Sequence, residues 1–150
     1  MIDRFEKFSF SISAIHRFWH RIAADEMMKF GLKGPHVIYL VALKRFENGI
    51  TAAALAEICG RDKSDVSRAI TSMEEKGFVV KDGENNNLYR AKLKLTEEGK
   101  KAALHISERA CLAVEKGGKG LTNEDRIKFY EVLEIIASNL QTISEDGLPK

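Results

Sequence analysis

Between Asp62 and Ser72 the chain spaces small hydroxyls and one arginine so that a helix would gather them on one side. At about 100° per residue, Ser64, Ser67, Arg68, Thr71 and Ser72 fall opposite Val66, Ala69, Ile70 and Met73, which lie within about 60° of Val66. Small hydroxyls let a helix approach another surface closely and hydrogen-bond phosphates or base edges, and a guanidinium can reach guanine O6 and N7 with two donors. An ordinary solvated helix rich in serine carries the same pattern. Further on, Arg90, Lys92 and Lys94 alternate. On a strand they project to one side, where they could grip phosphate or simply protect a sheet edge.

Other reactive side chains form no recognisable machinery. His16 and His20 stand four apart and could face one metal on a helix, but no third ligand has a fitting spacing. Cys59 and Cys111 form no C-x-x-C pair or disulfide framework, and neither local sequence is electropositive in the way a redox-sensing thiol needs. The run Lys116-Gly-Gly-Lys-Gly120 lacks the Lys-Ser/Thr of a phosphate-binding loop and reads as a hinge. No nucleophile elbow or metalloprotease motif is present. The sequence therefore predicts no catalytic residue, no metal, no cofactor and no enzyme activity.

Positioning the serine-rich face requires a particular set of elements. Phe8, Ile12, Ile15, Trp19, Ile22 and Met27 trace one stripe of a long helix from Phe5 to Phe30. Pro35 starts a second helix through Val37, Leu40, Val41 and Phe46, ended by Asn48-Gly49. Thr51 caps a short third helix that Gly60 closes, and Asp62 caps the fourth, with Asp65 in a capping-box-like position and Gly77 as the stop. Phe78–Lys81, the turn formers 82–87 and the alternating stretch Leu88–Leu95 describe a β-hairpin. Thr96 opens a fifth helix to about Glu115, and Thr122 a sixth with Ile127, Tyr130, Leu133, Ile136, Leu140 and Ile143 on one stripe. Two short helices meeting at a turn and followed by a hairpin are the order of a winged helix-turn-helix.

Composition bounds this reading. The chain has 150 residues, 44% of them hydrophobic, which is enough for a core without staples. Apolar runs are too short for a bilayer crossing and no signal segment opens the chain, so a cytoplasmic protein without membrane contact is expected. Net charge is +2, and the middle fifty residues carry nine basic and nine acidic side chains. Any polyanion contact must rest on where Arg68, Arg90, Lys92 and Lys94 are placed, because the bulk field is weak.

The stretches Thr51–Gly60 (TAAALAEICG), Asp62–Phe78 (DKSDVSRAITSMEEKGF) and Tyr89–Lys100 (YRAKLKLTEEGK) resemble the DNA-binding core of the MarR family of bacterial and archaeal transcriptional regulators. The resemblance implies a mostly α (α+β) fold, a single domain over 1–150. Its winged helix-turn-helix DNA-binding lobe would span 35–100, and its dimerisation helices 1–34 and 101–150. It implies a homodimer with the fourth helix of each subunit in a major groove and the wing in the flanking minor groove. Lys63, Ser64, Ser67, Arg68 and Thr71 match the family's recognition-helix contacts. Many relatives carry Asp-x-Arg in the wing; those positions here hold Asn87 and Tyr89, with Arg90 displaced by one.

In this family effectors often bind between the dimerisation helices and the DNA-binding lobe. His16, Trp19, His20 and Tyr39 are the residues placed to line such a cleft, or they are ordinary core aromatics. The apolar stripe Phe5, Phe8, Ile12, Ile15 and Trp19 must in any case be covered, and a second subunit is the economical cover. The function expected is a sequence-specific repressor binding an inverted-repeat, double-stranded DNA operator, adjusted by a small-molecule effector. The alternative is a winged-helix module that binds another protein.

Overall fold

A computed structural model of the chain describes residues 3–82 and 91–150. The chain divides into two compact units, Met1–Cys111 and Leu112–Lys150. The first holds α1 (Arg4–Met28), α2 (Val37–Lys44), β1 (Ile50–Thr51), α3 (Ala52–Cys59), α4 (Lys63–Glu75), β2 (Val79–Asp82), β3 (Lys92–Leu95) and most of α5 (Glu97–Gly117); the second holds α6 (Asn123–Asp146). The expected winged helix-turn-helix order is present. No described helix is long and apolar enough to cross a membrane.

Local chemistry explains most boundaries. Thr51 Oγ1 accepts from the Ala54 amide at the start of α3, and Gly60 ends that helix in the left-handed region at φ 60°. A reciprocal capping box between Thr122 and Asp125 opens α6. The start of the second helix differs from expectation: Pro35 lies in a single 3-10 turn, Gly34–His36, and α2 begins at Val37. Proline's fixed φ and missing N–H suit either kind of first turn. Gly34 permits that turn to lie on α1, since a Cβ there would sit 2.7 Å from that of Ala24.

The sheet order is β1-β3-β2, all antiparallel, with Ile50 opposite Leu93 and Val79 opposite Leu95. β1 has only two residues and no sequence signal of its own; pairing with a strand some forty residues later creates it. The hairpin expected from Phe78 to Leu95 is present as β2 and β3, while positions 83–90 lie outside the described residues.

One core serves the first unit. Tyr39, Leu40 and Leu43 of α2, Leu55 of α3, the inner face of α4, Val79 and Leu93 of the sheet are buried together. Met27 and Leu32 join them from the α1 end, and Ala102, Ala103 and Ile106 from α5. By contrast α1 leaves Phe5, Phe8, Ile12, Ile15 and Trp19 between 40% and 72% exposed. Within the second unit α6 buries no residue and leaves Ile127, Phe129, Tyr130 and Ile135 exposed.

Candidate functional site

α4 separates cleanly into two faces. Val66, Ala69, Ile70 and Met73 are buried; Lys63, Ser64, Ser67, Arg68 and Thr71 are exposed, and Ser72 is half-buried. The helix starts on Asp62, whose Oδ1 accepts from the Asp65 amide at 2.8 Å and from the Ser64 hydroxyl at 2.6 Å. These bonds, the Ser64 one foremost, hold the Asp62 carboxyl below the usual carboxylate range. Ser64 thus spends its proton within the cap, and a phosphate contact from it requires that bond to be exchanged.

Asp65 does not close a capping box. Its carboxylate instead accepts from the hydroxyl of Tyr39 on α2, and its other oxygen lies 3.5 Å from an Arg68 Nη. Tyr39 is fully buried. Burial first, then the bond to Asp65, push its hydroxyl above the ordinary phenol range. Beside it His36 is buried with its ring centroid 6.1 Å from that of Tyr39, and its Nδ1 has no partner among the described residues. Burial lowers the His36 pKa. Sequence spacing missed this role for Asp65 because its partner is 26 residues away.

The sheet carries the second set of cations. Lys92 is exposed on β3, opposite Thr51 and Asp82. Lys94 donates to Asp82 across the hairpin at 2.8 Å, which draws the Asp82 carboxyl below its usual range. Lys81 of β2 lies 3.3 Å from Glu74 of α4 and so ties the wing to the serine-rich helix. Arg90, and the Asn87 and Tyr89 positions beside it, lie outside the described residues.

A cavity of about 360 Å³ lies between α1, α2 and α5, walled by Trp19, Ile22, Val37, Ile38, Val41 and Ile106, with His20, Glu26 and Arg61 as its polar groups. Trp19 and His20 are both brought to this cavity. His16 and Tyr39 are not: His16 is exposed further along α1, 4.1 Å ring to ring from His20, and Tyr39 points to Asp65. Arg61, at the turn into α4, was not singled out by spacing. Among the described residues no group of three or more His, Cys, Asp or Glu side chains converges. Cys59 is half-buried, and burial raises its thiol pKa, so the thiolate is disfavoured; Cys111 is exposed.

Glu26 closes the α1 end of this cavity and is almost fully buried. It binds Lys29 at 2.8 Å, His105 Nε2 at 2.9 Å and Arg109 Nε at 3.1 Å. Lys29 and then His105 lower its pKa to about 2 against the opposing effect of burial. A carboxyl depressed on folding stabilises at pH above its ordinary value and loses that contribution as pH falls toward about 2. Its partners are partly exposed and screened, so Glu26→Gln should cost about 1–2 kcal/mol at neutral pH. Urea unfolding at pH 7 and again near pH 3 checks this: the difference between the two proteins should shrink at the lower pH.

Comparison with known proteins gives consistent relatives. A MarR family model matches residues 30–85. The chain is 29% identical over 131 residues to the uncharacterized HTH-type transcriptional regulator YybA of Bacillus subtilis strain 168, covering 87% of this chain and 86% of that one. Its fold matches a MarR transcriptional regulator from Methanosarcina mazei Go1, with a TM-score of 0.80 at 23% identity, covering 92% of this chain and 99% of that one. It also matches a protein assigned to the MarR regulators from Listeria monocytogenes, solved with a 26mer DNA, with a TM-score of 0.78 at 24% identity over 100% and 99% of the two chains.

Proposed function

From the match of a MarR family model to residues 30–85 and the similarity to a Bacillus subtilis HTH-type regulator, we propose that the chain is a MarR-type transcriptional regulator that represses transcription as a homodimer reading an inverted-repeat operator in double-stranded DNA. The observation that carries this reading is the division of α4 into a core face and an exposed face of Lys63, Ser64, Ser67, Arg68 and Thr71. A helix entering a major groove needs small side chains for close approach and a bidentate donor for base edges. Ser72, Arg90 and Lys92 complete the contact set, the last two through backbone phosphate at the wing. Twofold symmetry places the half-sites one helical turn apart, roughly 34 Å. The Listeria structure with DNA supports the choice of partner.

The cavity supports an effector role. It is apolar, bounded by α1, α2 and α5, and touches Arg61 at the turn into α4. A small molecule seated on Trp19 and His20 that fits one spacing of the recognition helices better than another shifts DNA affinity by its differential binding.

Binding to duplexes enriched from genomic fragments, measured by fluorescence anisotropy against random duplex across a salt series, tests the proposal. Affinity for the enriched duplex should fall roughly a hundredfold or more between about 50 and about 200 mM salt. A flat salt response with no preference over random duplex would leave the serine-rich face as a surface for another protein.

A further inference from the structure

Resting on the assignment of α4 as the reading helix, we infer that Tyr39 and Asp65 are positioning residues that set how Arg68 is presented to DNA. The Asp65 carboxylate joins two groups of different kind: the hydroxyl of a fully buried tyrosine on one side and an exposed guanidinium on the other. Arg68 is 68% exposed and has no other ion-pair partner among the described residues. A free arginine on a helix surface samples many rotamers, and each bond it makes must overcome that lost freedom. A carboxylate three residues earlier narrows the choice only if it is itself held still. Asp65 is held: its amide is bonded to Asp62 and its side chain is tied through Tyr39 to the core.

The same bond orients the helix as a whole. Tyr39 belongs to α2, in the core with Leu40 and Leu43, and its hydroxyl meets the first turn of α4. Loss of that hydroxyl leaves the tyrosine ring volume and its apolar packing intact. What changes is the restraint on Asp65, hence on the guanidinium and on the entry angle of the N-terminal turn. A carboxylate beside a base-reading arginine also discriminates directly. It repels phosphate, so the guanidinium is steered away from backbone contact and toward a base edge.

The test uses the full chain and a duplex that the wild-type protein enriches from a randomised pool, with random duplex as reference. Tyr39→Phe should reduce the ratio of the two affinities about tenfold, with random-duplex affinity and its salt slope nearly unchanged. In an Arg68→Ala background the same substitution should have no further effect on the ratio, because Tyr39 acts through Arg68. Asp65→Asn, which still accepts from Tyr39 but no longer attracts the guanidinium, serves if Tyr39→Phe unfolds, and should likewise lower the ratio. If Arg68→Ala lowers the ratio while Tyr39→Phe and Asp65→Asn leave it at the wild-type value, the positioning role is wrong and the reading of α4 stands. If Arg68→Ala also leaves it unchanged, that reading fails and the inference with it. Equal losses from Tyr39→Phe in both backgrounds would show a general packing effect and overturn the inference.

Discussion

Arg68→Ala is expected to remove most of the sequence preference without disturbing the fold. The side chain is 68% exposed and its one ionic contact among the described residues, to Asp65, is a surface pair at 3.5 Å. Such pairs contribute less than about 1 kcal/mol, and alanine is a better helix former than arginine. Stability should therefore change by about 0.5 kcal/mol or less. Discrimination is another matter. A bidentate arginine on guanine is worth roughly 1–3 kcal/mol against the wrong base, and the proposed homodimer would lose it at both half-sites, roughly 2–6 kcal/mol across the proposed operator. Competition between an enriched duplex and random duplex measures this. An equal loss on both duplexes would make Arg68 a phosphate contact, and no loss would remove it from recognition.

The second large effect concerns association. For the proposed homodimer, Ile12→Glu together with Ile15→Glu should give a folded monomer. Both isoleucines lie on the α1 stripe with Phe8 and Trp19 and are 42% and 59% exposed, so the unit they belong to does not depend on them for its core. Glutamate is at home in a helix. In a twofold interface each substitution occurs twice, so four carboxylates would be buried where apolar contact is needed. Even partly relieved by water, these should weaken dimerisation by roughly 4 kcal/mol or more, about a thousandfold. Sedimentation equilibrium reads the change directly. The single tryptophan, Trp19, lies on the same stripe, so its emission should shift to the red as the partner surface is lost. A variant that stays dimeric would exclude this stripe from the interface.

That Arg68 and its neighbours share the exposed face of α4 could be read from periodicity alone, since the angular position of a side chain on a helix follows from counting. The stripe on α1 was equally legible, and its exposure in the single chain leaves it available to a partner. The helix signals at Thr51, Gly60, Asp62 and Thr122 were correctly read because caps are bonds within a few residues. Asp65 was misread for the complementary reason. Its spacing suits a capping box, yet the buried hydroxyl of Tyr39 competes for the carboxylate and takes it.

Cavity residues follow the same division. Trp19 and His20 are neighbours on α1 and both line the cavity. Tyr39 resembles them in type, but its direction is set by packing of α2 against the first turn of α4. Glu26 gave no signal at all. Lys29, three residues on, acts most strongly on it, but His105 and Arg109 are 79 and 83 residues away, and the approach of α5 to the end of α1 adds their bonds to the one that holds the carboxyl at about 2.

What the order of residues settled, then, was everything governed by contacts within a turn or two: the helices, their caps, the two faces of α4 and the exposed stripe of α1. Packing between distant segments settled the rest. It created β1 by pairing Ile50 and Thr51 with β3, pinned Lys94 to Asp82, set Arg61 and Glu26 on one cavity, and gave Asp65 to Tyr39. The physical reason is that a hydrogen bond or ion pair across the fold depends on where two backbones come to rest, and spacing along one of them carries no record of the other.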